Sequence, residues 1–506
     1  MTESISRRAQ RKPTVRLSTG IAGLDDILCG GLTAQRVYLI EGSPGTGKTT
    51  LGLQFLLNGL ALGESGLYIT LSETADELDA VAESHGWSLE GLSIFELASE
   101  TALDPASQQS VFHPSELELA ETTNSVMAQV DAVKPLRIVF DSLSEMRLLA
   151  QNGLRYRRQI LALKQFFASR ACTVLLLDDK SSNSPEQQLH SIAHGVVSLE
   201  QIAQEFGKER RRVNVIKMRG IKFRGGYHDY VLETGGIRMF PRLIAAEHNR
   251  DFSFERRSTG SAGIDALLGG GLATGTNTLI VGPSGIGKTT VSVRCLLSAL
   301  ERGENASFYL FDEDLGTFFT RCASLNMDLQ PYVADGRLRL HHIDPAELAP
   351  GEFAHMLRGA VEDDGVRFIV IDSLNAYLQA MPGEHFLTLQ MHELLSYLNQ
   401  QGVTTVLVLG QHGLIGEVRS DVDLSYLSDT TVSLRFFESG GRLRRAITVI
   451  KSRTSNHALT IHELRLSSAG VEIGDPLEGF EGVLTGLPTY RGDTPMLASV
   501  AADAGR

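Results

Sequence analysis

The sequence predicts an α/β fold made of two tandem copies of one domain, each a mostly parallel β-sheet flanked by helices. Five short blocks recur in the same order in the two halves of the 506-residue chain, starting with the similar segments at Leu17 and Arg257. Within each half, apolar runs rich in β-branched residues alternate with segments of helical periodicity. Continuous apolar strands separated by helices are typical of a parallel sheet that is covered on both faces.

The repeat also sets the expected domain borders. We expect a disordered basic tail at 1–13, a first domain at 14–245, a second domain at 246–485 and a flexible tail at 486–506. One repeated block matches the strand-like CTVLLL, from Cys172, with TTVLVL, from Thr404. Ligands of such sheets bind at the carboxyl ends of the strands, so functional residues should follow the strands.

A glycine-rich octet occurs once in each half, as GSPGTGKT (42–49) and GPSGIGKT (282–289). Both follow an apolar strand and open a helix, as a P-loop requires. Backbone amides of such a loop surround phosphate oxygens, and Lys48 and Lys288 are expected to contact the β- and γ-phosphates. The predicted nucleotide-binding residues are Gly42, Ser43, Pro44, Gly45, Thr46, Gly47, Lys48, Thr49, Thr50, Gly282, Pro283, Ser284, Gly285, Ile286, Gly287, Lys288, Thr289 and Thr290.

Two aspartates, Asp141 and Asp372, end an apolar strand at matching positions of the two copies. Such an aspartate can hold a Mg²⁺-bound water, while the hydroxyl of Thr49 or Thr289 binds the ion. The alternative for each aspartate is a helix-capping role. These four residues are the predicted metal ligands, and ATP and Mg²⁺ are the predicted cofactors.

Two glutamates, Glu73 and Glu313, follow the second strand of each copy at matching positions. They are the candidates to position and polarise the water that attacks the γ-phosphate. The alternative is an ordinary solvent-facing glutamate at the start of a helix.

The paired STG…GGL, GSPGTGKTT, IDSLN and IKMRG blocks together resemble the KaiC family of circadian-clock ATPases, over about residues 15–490. The resemblance implies two tandem RecA-like P-loop NTPase domains in a homohexameric double ring, with ATP between adjacent subunits. It also implies a slow ATPase in the first domain, a second domain that can phosphorylate its own hydroxyls, and a KaiB-like or other signalling protein as partner. Together these features predict a nucleotide- and phosphorylation-dependent signalling switch.

The resemblance assigns roles to further residues. The family has two adjacent catalytic glutamates where this chain has Ser72-Glu73 and Asp312-Glu313, so Asp312 is a candidate proton acceptor with a shorter reach. The family's phosphoacceptor pair is Ser-Thr, which predicts Ser425 as the acceptor, with Ser428 as a second candidate, because Tyr426 replaces the threonine. An interface role for Ser425 is the alternative. The residues expected to contact the phosphate of a neighbouring subunit are Lys217, Arg219, Lys451, Arg453 and His457.

Charge and composition narrow the choice of function. The net charge is −13, and no Lys or Arg occurs between Lys48 and Lys134, so we expect no nucleic-acid partner. A RecA- or DnaB-like DNA motor remains an alternative because it would share the fold, as does a catalytically weak scaffold stabilised by ATP. The polar, basic N-terminus, the absence of a long apolar run and four scattered cysteines predict a cytoplasmic protein without a membrane segment.

Overall fold

The computed structural model describes residues 15–97, 114–150, 152–180, 187–204, 207–379, 387–411, 425–468, 470–485 and 489–490. The predicted tail at 1–13 and nearly all of that at 486–506 lie outside these ranges. The chain divides into two compact units, Met1–Arg242 and Leu243–Arg506. Within the described residues, no helix is both long and apolar enough to cross a membrane.

The first unit is one nine-stranded sheet with helices on both faces. Its strand order is β11-β10-β9-β8-β3-β7-β6-β4-β5, and β1 pairs separately with β2. The elements are β1 (Arg16–Leu17), α1 (Ala22–Ile27), β2 (Leu32–Thr33), β3 (Val37–Gly42), α2 (Lys48–Ala61), β4 (Gly66–Thr70), α3 (Ala75–Ser84), β5 (Ser93–Glu96), α4 (Pro114–Val133), β6 (Arg137–Asp141), α5 (Leu143–Ala150), α6 (Gly153–Ala168), β7 (Thr173–Asp179), α7 (Gln187–Ile192), β8 (Gly195–Ile202), β9 (Arg210–Met218), β10 (Tyr227–Glu233) and β11 (Gly236–Phe240).

The second unit repeats this architecture, with the strand order β16-β15-β17-β18-β14-β19-β20-β21-β22. Short 3₁₀ turns lie at Ala245–Glu247 and Ser425–Leu427. The other elements are β12 (Arg256–Arg257), α8 (Ala262–Leu267), β13 (Leu272–Ala273), β14 (Asn277–Pro283), α9 (Lys288–Glu301), β15 (Ala306–Leu310), α10 (Leu315–Ser324), α11 (Gln330–Ala334), β16 (Leu338–His342), α12 (Pro350–Glu362), β17 (Phe368–Asp372), α13 (Leu374–Gln379), α14 (Leu387–Gln400), β18 (Thr404–Gln411), β19 (Thr430–Ser439), β20 (Arg442–Ser452), β21 (His462–Ser467), β22 (Gly470–Pro476), β23 (Phe480–Glu481) and β24 (Thr489–Tyr490).

The predicted fold class is confirmed, because six strands of each large sheet are parallel. The inner parallel strands are buried because α-helices cover both faces, and apolar clusters fill the two layers between helices and sheet. The last strands of each unit, from β8 to β11 and from β19 to β22, pair antiparallel. The sequence did not predict this extension.

Hydrogen bonding corrects one of the matches between the two copies. The amide of Thr173 donates to Leu136, and the amide of Thr404 donates to the equivalent Arg367, so Thr173 corresponds to Thr404. The match of Cys172 with Thr404 was therefore wrong by one residue. A shift of one residue moves every side chain to the other face of the sheet, so the correction decides which side chains are compared at the end of the strand.

Candidate nucleotide-binding and active sites

The first glycine-rich octet forms a turn between β3 and α2. Gly45 and Gly47 have φ of 82° and 86°, a left-handed conformation that glycine adopts without strain. A Cβ at Gly42 would lie 2.7 Å from the backbone oxygen of Leu199, so this position also requires glycine. Gly285 and Gly287 repeat the positive φ in the second unit. The backbone of both octets therefore has the shape that presents amides to an anion at a helix N-terminus.

The two P-loop lysines have different partners. The Lys48 amine donates to the backbone oxygens of Gly42 and Ser43, at 2.9 and 3.1 Å, and forms a 2.8 Å ion pair with Asp179. The Lys288 amine donates to the oxygen of Pro283 at 2.9 Å. The residue equivalent to Asp179 is Gly410, the seventh residue of β18. A carboxylate therefore lies beside the P-loop lysine in the first unit, and glycine takes its place in the second.

Each predicted metal site brings together a threonine hydroxyl and an aspartate. Thr49 donates to Asp141 at 3.3 Å, and Thr289 donates to Asp372 at 2.5 Å. Burial raises the pKa of both carboxyl groups, that of Asp372 to about 6. A hydroxyl and a carboxylate are the hard oxygen donors that Mg²⁺ takes together with phosphate and water, so these residues fit the ion. In the first unit Tyr68 also donates to Asp141, at 2.6 Å.

The two candidate water-polarising glutamates differ in their environment. Glu73 is partly buried, and its Oε2 has no hydrogen-bond partner among the described residues. Burial, followed by the nearby charge of Asp141, raises its pKa to about 7. In contrast, both carboxylate oxygens of Glu313 are engaged by Arg321, with Nε–Oε1 at 3.2 Å and Nη2–Oε2 at 2.5 Å.

A cavity of about 500 Å³ lies above the second P-loop. Its lining includes Lys288, Thr289, Asp312, Glu313 and Asp372, so the structure brings these predicted residues together. Asp312 accepts a hydrogen bond from Ser373 at 2.5 Å. Two of the predicted nucleotide-binding residues point elsewhere, since Ile286 is fully buried in the apolar core and Thr50 contacts His85 at 3.3 Å.

The predicted Lys/Arg pairs and the P-loop lie at opposite ends of the central strands of each sheet. β9 runs antiparallel to β8, and Lys217, near its end, pairs with Val196. Val196 is beside Leu39, near the start of β3, whereas the P-loop follows the end of β3. Lys451 occupies the equivalent place, opposite Thr431. Neither pair is near the P-loop of its own unit.

These cations bond to backbone oxygens at that end of the strands. Lys217 donates to His190, and Arg219 donates to Ser191 at 2.6 Å. In the second unit Lys451 donates to the backbone oxygen of Ser428 at 2.7 Å, and Arg453 donates to that of Tyr426 at 3.4 Å. Arg453 also lies 3.5 Å from the Asp429 carboxylate. His457, the remaining predicted contact, has an Nε2 without a hydrogen-bond partner in the described part of the chain.

The predicted phosphoacceptor lies next to the second Lys/Arg pair. Ser425 begins the 3₁₀ turn, but its side chain lies outside the described part of the chain. Tyr426 is half exposed. Ser428, the second candidate, is fully buried and its hydroxyl contacts that of Thr431 at 3.0 Å, so it is closed to a phosphate donor in this conformation.

Comparison with known proteins gives the family. The family model described as "ATPase: KaiC" matches residues 17–244 and again 257–478. The chain belongs to the KaiC ATPase family. It is 26% identical over 501 residues to the circadian clock oscillator protein KaiC of Synechococcus elongatus, covering 96% of this chain and 94% of the relative. It is 27% identical to KaiC of Thermosynechococcus vestitus (96% and 93%) and 25% identical to the circadian clock protein KaiC3 of Synechocystis (94% and 95%).

Sequence reasoning missed three residues of this KaiC-family site, namely Tyr68, Asp179 and Arg321. Each differs from its equivalent in the other unit, which is Phe308, Gly410 and Val81 respectively. A position-by-position comparison of the two copies, with attention to changes of polarity, would have shown them.

Proposed function

We propose that the chain hydrolyses Mg·ATP at sites completed by a neighbouring copy of the same chain, in a homohexameric double ring. One observation carries this proposal: each unit has a P-loop at one end of its strands and a Lys/Arg pair at the other end. β3 spans Val37–Gly42, and five steps of about 3.3 Å place its ends about 17 Å apart. Lys217 and Arg219 therefore face away from their own P-loop and can serve the P-loop of the next copy.

The chemistry in the first unit follows from this arrangement. The P-loop amides and Lys48 bind the phosphates, while Thr49 and Asp141 hold the ion. Mg²⁺, when bound, neutralises charge on the β- and γ-phosphate oxygens. Glu73, whose pKa burial raises to about 7, accepts the proton of the attacking water. The neighbouring copy supplies a Lys/Arg pair that stabilises the charge that develops in the transition state.

Mixing two inactive variants tests the shared site. Both carry Glu313→Gln to silence the second unit. One also carries Glu73→Gln, and the other carries Lys217→Ala and Arg219→Ala. Each variant alone is expected to release little phosphate, whereas an exchanged 1:1 mixture regains about a quarter of the parental rate, because one interface in four combines an intact Glu73 with intact cations. An inactive mixture that still forms hexamers by native mass spectrometry with Mg·ATP would refute the proposal.

In the second unit we propose autophosphorylation of Ser425. The Ser425 hydroxyl oxygen attacks the γ-phosphorus, ADP leaves, and Asp312 takes the hydroxyl proton. Support comes from Lys451 and Arg453, which hold the turn that contains Ser425 at the end of the strands presented to the next copy. Phosphopeptide mapping after incubation with Mg·ATP should find phosphate on Ser425 and lose it in Ser425→Ala. No phosphate in 412–431 would contradict this assignment.

The resulting phosphorylated and unphosphorylated forms would act as a signalling switch in the cytoplasm, read by a KaiB-like or other signalling protein. The support is that relatives covering the chain almost end to end are named circadian clock proteins. Sedimentation with a purified KaiB-like protein, in Mg·ATP and in Mg·ADP, should show binding in one nucleotide state. Equal sedimentation with and without that protein would contradict this part of the proposal.

A further inference from the structure

The two glutamates proposed to activate water lie at equivalent positions but in different electrostatic environments. Both directly precede the residue that caps the following helix, Thr74 before α3 and Asp314 before α10. Glu73 has an unpartnered oxygen, and Glu313 has both oxygens bound to one guanidinium. This difference in the partners of the two glutamates arises from the helices that follow them, α3 and α10, and not from the preceding strands.

The seventh residue of each helix decides this contact. In α10 it is Arg321, one turn beyond Phe318 and facing Glu313 across the start of the helix. In α3 it is Val81, which packs against the apolar core of the first unit. The Arg321 side chain is 30% exposed and lines the cavity above the second P-loop, so it lies within the site and is not a remote surface charge.

We propose that Arg321 is a positioning residue that restrains Glu313 and thereby slows hydrolysis at the second site. A carboxylate accepts a proton from water only if one of its oxygens can receive that hydrogen bond. The guanidinium fork occupies both oxygens in a bidentate arrangement, which is the most directional ion pair available to a carboxylate. Each oxygen keeps a second lone pair, but the fork fixes the direction in which those lone pairs point. Glu313 can therefore turn towards an attacking water only when this pair loosens, whereas Glu73 has no such pair among the described residues. This inference rests on the proposed function, because it gives Glu313 the role of Glu73.

The restraint also favours transfer of phosphate to a side chain over transfer to water. Asp312 lies beside Glu313 in the same cavity and its carboxylate is not bound by Arg321; the partner that the structure gives it is the hydroxyl of Ser373. Arg321 thus restrains Glu313, which would accept a proton from water, and leaves Asp312 available to accept a proton from a hydroxyl group.

The rate of phosphate release by the 506-residue chain carrying Glu73→Gln measures hydrolysis at the second site. Adding Arg321→Val, which installs the residue of the first unit, should raise kcat about tenfold with KM for Mg·ATP nearly unchanged, since a positioned base contributes at least this much. A further Glu313→Gln should remove the gain. Arg321→Lys, which keeps the charge but loses the fork, should give a smaller gain. Arg358→Val removes a comparable ion pair, with Glu362 on α12 and outside the cavity, and should change nothing.

Three results would overturn the inference. An unchanged kcat in both Arg321 variants would show that the pair does not limit the reaction. A lower kcat or a several-fold higher KM would make Arg321 a phosphate contact. A gain that survives Glu313→Gln would show that it does not act through Glu313. Failure of the proposed function is seen separately, as an unchanged turnover when Glu73→Gln is introduced into the parent chain.

Discussion

Asp179 competes with nucleotide for the first P-loop lysine, and replacing it by asparagine should strengthen binding at that site. In the structure the Lys48 amine has two backbone acceptors and the Asp179 carboxylate, 2.8 Å away. A triphosphate must displace this carboxylate and then remain close to its negative charge. Asparagine retains an oxygen acceptor of the same size and removes the charge, so the local packing should persist.

The expected size of the effect follows from exposure. The Lys48 side chain is 10% exposed, but that of Asp179 is 42% exposed, so solvent screens the pair and its loss costs at most about 1 kcal/mol. Relief of the repulsion between Asp179 and the phosphates contributes a similar amount, about 1 kcal/mol. Together they correspond to binding that is tighter by about 5- to 30-fold, at 1.4 kcal/mol per factor of ten.

Calorimetric titration with Mg·ADP, in chain carrying Lys288→Ala to silence the second site, measures this change. The gain should shrink as salt is raised, because an exposed charge is screened. The reciprocal variant, Gly410→Asp in chain carrying Lys48→Ala, should weaken binding at the second site; a Cβ at Gly410 comes no closer than 3.4 Å to any neighbour. An unchanged or weaker affinity of Asp179→Asn at low salt would refute the reasoning.

Three further predictions concern the base, the core and the partners. In chain carrying Glu313→Gln, kcat/KM for Mg·ATP should rise with pH through about 7 and then level off, because burial raises the pKa of Glu73 and only its ionised form accepts a proton; this limb should vanish in Glu73→Gln. Glu64→Ala should lower the free energy of unfolding of the first unit in urea by about 3 kcal/mol, because it strips a partner from the fully buried Arg137, while Glu64→Gln should cost less. Filter binding at moderate salt should show no ATP-dependent retention of single-stranded DNA, and tight retention would favour the DNA motor.

Much of the fold was predictable from the sequence because it depends on local patterns. The apolar runs became buried parallel strands, and both glycine-rich octets became strand–turn–helix loops with glycines at positive φ. The equivalence of Glu73 and Glu313 is also carried by local spacing, since each directly precedes the residue that caps the next helix. These features involve residues close together in the chain.

The contacts that distinguish the two sites were not predictable in the same way. The ion pair of Lys48 with Asp179 joins residues far apart in sequence, and a one-residue error in matching β7 with β18 hides the equivalence of Asp179 and Gly410. In the sequence Arg321 is one of several polar residues on an amphipathic helix. Its ion pair with Glu313 becomes visible only in the structure, where the turn before α10 places the two side chains together. Such pairings depend on strand register and helix placement, which sequence periodicity does not fix.

The exchanges of Asp179 for Gly410 and of Val81 for Arg321 are expected to affect nucleotide binding and hydrolysis in opposite directions at the two sites. In the first unit the Asp179 carboxylate pairs with the P-loop lysine, while Glu73 has an oxygen without a hydrogen-bond partner among the described residues. In the second unit the lysine has no such competitor at the Gly410 position, and the glutamate is bound by Arg321. We therefore expect the first site to bind nucleotide more weakly and turn it over faster, and the second to hold nucleotide longer. Asp179→Asn should change affinity and also lower the midpoint of the Glu73 pH limb, because the charge of Asp179 is among those that raise the pKa of Glu73. Arg321→Val should change kcat with little change in affinity.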